Sequence, residues 1–271
     1  MRLGLSTYTF PWAVGVPGHD PVHPLRSVEL IRLTRALGLG LVQFADNLPL
    51  HKLSEPELDR LAAAAEAQRV DLEIGTRGIG PHLRRYAQLA ERFGARFVRI
   101  IIDAGDDRPT MTETVHRLSA FEAEFRQRGL LLAIENHDRF CVDELVELVA
   151  RLGDWSGICL DTVNSLGALE PPRTVVARLG PLAVNLHLKD FTIRRHTHQM
   201  GFEVEGTPAG GGLLDIPWLL AQLESAPRLP TAVLELWTPP ASTIDATVAK
   251  EMAWVSASLD YLRTHTDLQW E

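Results

Sequence analysis

Cysteine is scarce. Cys141 and Cys159 are the only two in 271 residues, and their separation matches no metal-binding pattern. Cys159 lies inside an apolar run and reads as a small core residue. With no disulfide required, a reducing cytoplasm is the expected compartment. Long apolar runs are missing too. No stretch approaches the roughly 18 uninterrupted apolar residues of a membrane-spanning helix. The opening Met1-Arg2-Leu3-Gly4 runs straight into strand-like sequence and lacks the apolar core of a secretion signal. Basic residues are outnumbered 27 to 35, giving a net charge of −8, which argues against a nucleic-acid-binding surface. Repeats, low-complexity tracts and linkers are absent, so residues 1–271 are expected to form one domain.

What the sequence does contain is a regular alternation. Strand-like runs fall near 2–6, 40–44, 71–75, 97–102, 130–135, 157–161, 183–188 and 231–236. Between them lie segments with helical spacing: Leu25–Leu37, Glu55–Arg69, Pro81–Phe93, Thr112–Arg128, Val142–Leu152, Pro172–Leu179, Asp215–Leu223 and Ile244–Leu262. Several end at a glycine (Gly38, Gly94, Gly129, Gly153, Gly180), the usual C-terminal stop. Eight strands each followed by a helix predict an α/β fold, a (β/α)₈ TIM barrel. A doubly wound open sheet is the structural rival, but it would usually have fewer strands. One long connection, 189–214, carries Arg194, Arg195, His196, His198 and the glycines 210–212. Its length suggests a lid at the C-terminal face of the barrel.

Four residues close successive apolar runs: Glu135 after Leu-Leu-Ala-Ile, Asp161 after Gly-Ile-Cys-Leu, His187 after Ala-Val-Asn-Leu and Glu235 after Ala-Val-Leu. The first three are 26 and 26 residues apart and the last follows after 48; a strand with its return helix takes about 25–30. On a barrel, all four would converge over the mouth. Three carboxylates cannot share such a site unpaired, because like charges in poor solvation force proton uptake. One divalent ion resolves the conflict, and oxygen and imidazole donors suit Mn, Mg, Co or Zn. The simpler reading is a set of ion pairs, for example with Lys189 or Arg99.

The segments Ile134-Glu-Asn-His137, Leu160-Asp-Thr-Val-Asn164, His187-Leu-Lys-Asp190 and Leu234-Glu-Leu-Trp237 resemble the xylose-isomerase-like sugar isomerase/epimerase superfamily. The resemblance covers the whole chain. It implies a TIM barrel, with Glu135, Asp161, His187 and Glu235 ligating one ion, Mn first among the candidates. As in the epimerase branch, it also implies catalytic roles for Glu135 and Glu235 as acid and base on opposite faces of a substrate carbon. One departure stands out: many epimerases carry Asp-x-x-His after strand six, where this chain has Asn164.

The reaction so implied is proton transfer next to a carbonyl through an enediolate. The expected substrate is a sugar, keto-sugar or keto-cyclitol. Isomerisation, epimerisation and dehydration share that intermediate, so a lyase acting on a keto-inositol or 3-keto-sugar is the alternative. His137, Asn164, Lys189, Arg194, His196 and His198 are the expected substrate contacts. Gln43, Asp46 and Asn47 could read hydroxyls, and Tyr8, Phe10 and Trp12 could wall a sugar ring. Glu73 and Arg99, inside strands three and four, are expected to pair with each other. An endonuclease-IV-like repair enzyme is disfavoured by the acidic charge and the shortage of histidine ligands. A non-catalytic binding subunit is also compatible with the fold. Barrels of this type often associate, so a homo-oligomer is expected as readily as a monomer.

Overall fold

In a computed structural model describing residues 1–270, eight parallel strands close into a barrel. They are β1 (Arg2–Ser6), β2 (Leu41–Phe44), β3 (Asp71–Arg77), β4 (Phe97–Ile101), β5 (Leu131–Glu135), β6 (Ser156–Asp161), β7 (Ala183–Leu188) and, after a hairpin, β10 (Thr231–Leu234). β1 pairs with both β2 and β10, which closes the ring. These strands are buried on both faces, which explains their nearly continuous apolar sequences.

Among the described residues, ten α-helices surround the barrel: α1 (Pro11–Val14), α2 (Ser27–Ala36), α3 (Glu55–Gln68), α4 (His82–Phe93), α5 (Met111–Ser119), α6 (Glu122–Gln127), α7 (Val142–Leu152), α8 (Pro172–Leu179), α9 (Ile216–Leu223) and α10 (Ile244–His265). Local chemistry starts and stops them. Capping boxes open α3 (Ser54 with Glu57) and α5 (Thr110 with Glu113), each satisfying two otherwise free backbone N–H groups. Gly94 ends α4 at φ 67°, a left-handed geometry costly for residues with a side chain. The helix expected over 112–128 is two helices, broken at Ala120–Phe121, where Phe121 is buried and Arg84 lies 5.2 Å over its ring.

The connection 189–214, expected as a lid, contains two strands. β8 (Asp190–Arg195) and β9 (Phe202–Thr207) form an antiparallel hairpin beyond β7. Its base is held by Asp190. That carboxylate accepts hydrogen bonds from the N–H groups of Phe191 (2.8 Å), Gly210 (2.9 Å), Gly212 (2.9 Å) and Leu214 (3.0 Å). The amides of Gly210 and Gly212 are thereby engaged by a carboxylate of the same chain. A Cβ on Gly206 would lie 2.2 Å from the Trp237 carbonyl oxygen, so a side chain there would push the hairpin off the segment that follows β10.

α10 is tied to the first βα connection. Glu251 is fully buried and accepts hydrogen bonds from the N–H groups of Trp12 (2.9 Å) and Ala13 (3.0 Å) at the start of α1. Burial outweighs these bonds and pushes its carboxyl up to about 7 from 4.5. The folded state therefore holds the proton more tightly than the unfolded chain. That advantage is complete below about pH 4.5 and is lost as pH rises through about 7. We expect the stability difference between wild type and Glu251→Gln to shrink by about 3 kcal/mol between pH 4.5 and 7.5. Urea melts across that range check it; parallel stability profiles would contradict it.

Candidate metal centre

The barrel register brings together what the sequence spread over a hundred residues. Glu135 and Asp161 are the last residues of β5 and β6, His187 is the last but one of β7, and Glu235 follows β10 directly. Asp161 is in register with His187, and His187 with Val233. All four side chains are at most 3% exposed. His187 Nδ1 lies 3.4 Å from Glu135 Oε2, 3.8 Å from Asp161 Oδ2 and 3.3 Å from Glu235 Oε1.

The donor atoms fit a single divalent ion. Asp161, His187 and Glu235 each offer a ligand atom within 4.8 Å of the others. Atoms bound at about 2.0–2.2 Å to one ion lie roughly 3–4.4 Å apart. His187 Nδ1 is buried with no hydrogen-bond partner, and Asp161 Oδ2 and Glu235 Oε2 are met only by the Lys189 ammonium. Such atoms are rare in folded proteins unless something else satisfies them. The remaining oxygens are already engaged. Asp161 Oδ1 accepts from the N–H of Val163 (2.9 Å) and Asn164 (2.8 Å), and Glu235 Oε1 accepts from Ser6 Oγ (2.8 Å). Asn136 clamps Asp161 from behind, accepting from its N–H at 2.7 Å and donating to its carbonyl at 2.9 Å.

Glu135 is set apart. Arg99 Nε donates to its Oε2, and Asn164 Nδ2 donates to its Oε1 at 2.8 Å. Arg99 is 1% exposed and also binds Asp46 at 2.9 Å. The side chain of Arg99 fits because β3 has Gly75 opposite it; a Cβ there would come within 2.9 Å of Arg99 Cδ. Glu73, expected to pair with Arg99, does not. It lies deeper in the barrel with Gln43, Asn185 and Thr231.

Lys189 is the second cation of the site. Its Nζ lies 2.6 Å from Asp161 Oδ2 and 2.9 Å from Glu235 Oε2, and it is 5% exposed. Burial works against its charge, but Asp161, Glu235 and Glu135 outweigh burial and hold the ammonium well above its ordinary range. Burial likewise raises the Glu235 carboxyl, while His187 and Lys189 overcome it and hold the group well below the carboxylate range. Burial disfavours charge on His187, and Glu235 and Glu135 reverse the sign, favouring a proton or a cation at that imidazole.

The other expected contacts are scattered. Asn164 is buried, donates to Glu135, and has its Oδ1 3.5 Å from Lys189 Nζ. His137 is half-buried beside Asp138 at 3.2 Å and lines a cavity of about 560 Å³ with Arg77, Arg108 and Arg139. Arg194 is exposed and pairs with Glu203 and Glu205 across the hairpin, while His196 and His198 stack at 5.0 Å near its turn. These three make no contact with the ligand cluster. Phe10 is core, not wall, and Tyr8 donates to Asp46 at 3.3 Å. The ion pairs expected with Arg99 and Lys189 are present, whereas Ser6 and Asn136 are additions to the site; the signal available was a serine and an asparagine at barrel strand ends, where active-site residues gather.

The family description "Xylose isomerase-like TIM barrel" matches residues 31–265. The chain belongs to this family. Among curated proteins, it is 33% identical over 268 residues to 3-oxo-isoapionate decarboxylase of Pectobacterium atrosepticum, covering 97% of this chain and 96% of that protein. Among solved structures, D-psicose 3-epimerase in the presence of D-fructose superposes with a TM-score of 0.71 at 14% identity, covering 98% of this chain and 99% of the epimerase. A xylose isomerase-like TIM-barrel protein from Mycobacterium smegmatis in complex with magnesium gives 0.69 at 15% identity, over 96% and 97%. At such identities the structural matches speak for the fold alone. No described helix is long and apolar enough to cross a membrane.

Proposed function

We propose that this protein is a metal-dependent lyase that removes carbon dioxide from a 3-oxo sugar acid. The carrying observation is the state of the two glutamates expected to share proton transfer. Glu135 is pinned by Arg99 and Asn164, which leaves it a poor base, while a buried ammonium, Lys189, stands against Glu235 and Asp161. Epimerisation needs two carboxylates free to trade protons across a carbon. Decarboxylation needs no base, only an electron sink and one acid. The 33% identity to a 3-oxo-isoapionate decarboxylase supports the same choice.

A divalent ion, held by Asp161, His187 and Glu235 with Glu135 beside them, would supply the electrophile for the substrate's oxo group; the donor set suits Mn, Mg, Co or Zn, and the family resemblance puts Mn first. The bond between the carboxylate carbon and its neighbour breaks, and its electron pair moves into the adjacent carbonyl, leaving an enediolate and CO₂. Lys189 Nζ then gives a proton to the carbon that lost CO₂, and Glu235, 2.9 Å away, holds the ammonium in place until the transfer. Arg99 and Asn164 hold Glu135 still throughout.

The isomerase or epimerase reading uses the same enediolate and would draw on Glu235 as the proton carrier. One assay separates the two. The metal-loaded protein is given 3-oxo-isoapionate, and separately a panel of ketoses, in D₂O. We expect CO₂ release above the metal-free control, in step with a product carrying one deuterium at the carbon that lost CO₂. Deuterium exchange into ketoses without CO₂ release would replace this reading with the isomerase one.

A further inference from the structure

Beneath the ligand cluster lies a buried polar layer that the mechanism does not use: Gln43 on β2, Glu73 on β3, Asn185 on β7 and Thr231 on β10. All four are at most 9% exposed. Buried polar groups in the centre of a barrel are costly unless fully paired, and here they are paired in one direction. Gln43 Nε2 donates to Glu73 Oε2 at 3.0 Å and to Asn185 Oδ1 at 3.0 Å. Asn185 Nδ2 donates to the same Glu73 oxygen at 3.2 Å and to Thr231 Oγ1 at 3.0 Å. Thr231 Oγ1 donates to Glu73 Oε1 at 2.6 Å. Both N–H bonds of the Gln43 amide are thus committed downward, to acceptors.

Only the Gln43 carbonyl is left to face upward, and His187 Nε2 lies 2.8 Å from it. A carbonyl oxygen accepts only, so His187 Nε2 must carry the hydrogen. The lone pair of the neutral ring then sits on Nδ1, the atom that faces Glu135, Asp161 and Glu235. Turning the Gln43 amide over would set its oxygen against a carboxylate oxygen and an amide oxygen at once. Burial pushes the Glu73 carboxyl up; as a carboxylate, or with its proton on Oε1 toward Thr231, it still accepts from Gln43 through Oε2.

We infer that Glu73 is a positioning residue which, through Gln43, fixes the tautomer and ring orientation of His187 so that Nδ1 is presented as a donor to the cation. The inference rests on the metal-dependent reading for its purpose but not for its geometry. Partners of this kind behind a ligating imidazole typically contribute about 10–100-fold to metal affinity.

The test combines a spectroscopic signature with Mn²⁺ affinity. In long-range ¹H–¹⁵N spectra of the metal-free wild type, His187 Nε2 should carry a proton that exchanges slowly with solvent. Gln43→Leu and Glu73→Leu should each weaken Mn²⁺ binding, measured by calorimetry, by about 10–100-fold and speed that exchange. Glu73→Gln should keep both properties, since its amide oxygen can still accept from Gln43 while its N–H₂ donates to Thr231. A wild-type Nε2 without a proton would overturn the inference, and that measurement needs no variant. So would a folded Glu73→Leu with unchanged affinity and exchange. If the wild type binds no divalent ion, the metal-dependent reading fails, while the spectrum still decides the tautomer.

Discussion

Replacing Lys189 by methionine should lower turnover by about 10²–10⁴, the usual cost of losing a positioned proton donor, while leaving the metal in place. The reason is the position of Nζ, 2.6 Å from Asp161 and 2.9 Å from Glu235 with only 5% of the residue exposed. An ordinary structural ion pair would give the opposite pattern. Breaking a buried pair leaves an uncompensated charge and typically costs 3–5 kcal/mol of stability. In this site a divalent ion can neutralise the carboxylates that lose their ammonium. It is also relieved of a neighbouring positive charge. Lys189→Met should therefore bind Mn²⁺ at least as tightly as wild type, and the metal-loaded variant should melt close to it. Single-turnover CO₂ release together with calorimetric metal titration reads both. Near-full activity in a metal-loaded Lys189→Met protein would reduce Lys189 to a counter-ion and send the search for the acid elsewhere.

The barrel was legible because its strands are written as short apolar runs closed by glycine-stopped helices, a pattern set by burial on both faces. The convergence of Glu135, Asp161, His187 and Glu235 was legible for a related reason: a residue at a strand's C-terminal end is placed by the strand alone. Partners inside the barrel were not. Glu73 and Arg99 are on adjacent strands, and local reasoning paired them. Closure of the ring instead offers Glu73 to Asn185 and Thr231, 112 and 158 positions away in sequence, and offers Arg99 to Glu135 and Asp46. Such choices depend on which side chains meet across the axis, which no linear spacing encodes.

The hairpin beyond β7 had a local signal that its basic residues and glycines obscured. Phe191 and Ile193 alternate with polar residues, as do Phe202 and Val204, and these runs pair in the structure, Ile193 with Val204 and Arg195 with Phe202. Period-two alternation marks a half-exposed strand; length and glycine content pointed to a lid. Asn164 was read as a substrate contact because of where it falls after β6. Its engagement with Glu135 depends on the rotamer of a residue 29 positions away.

Stripping the metal should have the second large effect. Among the described residues, Arg99 and Lys189 are the cations paired with Glu135, Asp161 and Glu235, so the stripped cluster keeps an excess negative charge. The electrophile would then be missing. Lewis-acid stabilisation of several kcal/mol corresponds to about a thousandfold or more in rate. Dialysis against EDTA should remove CO₂ release to that extent and Mn²⁺ should restore it, whereas Asp161→Ala should stay inactive at any Mn²⁺ concentration that leaves the protein folded. The most direct check is a crystal structure of the Mn²⁺-soaked protein with anomalous scattering recorded at the metal edge. The account predicts one peak at about 2.0–2.3 Å from Asp161 Oδ2, His187 Nδ1 and a Glu235 oxygen. It is contradicted if no peak appears there and the Lys189 ammonium still sits between Asp161 and Glu235 in crystals saturated with the ion.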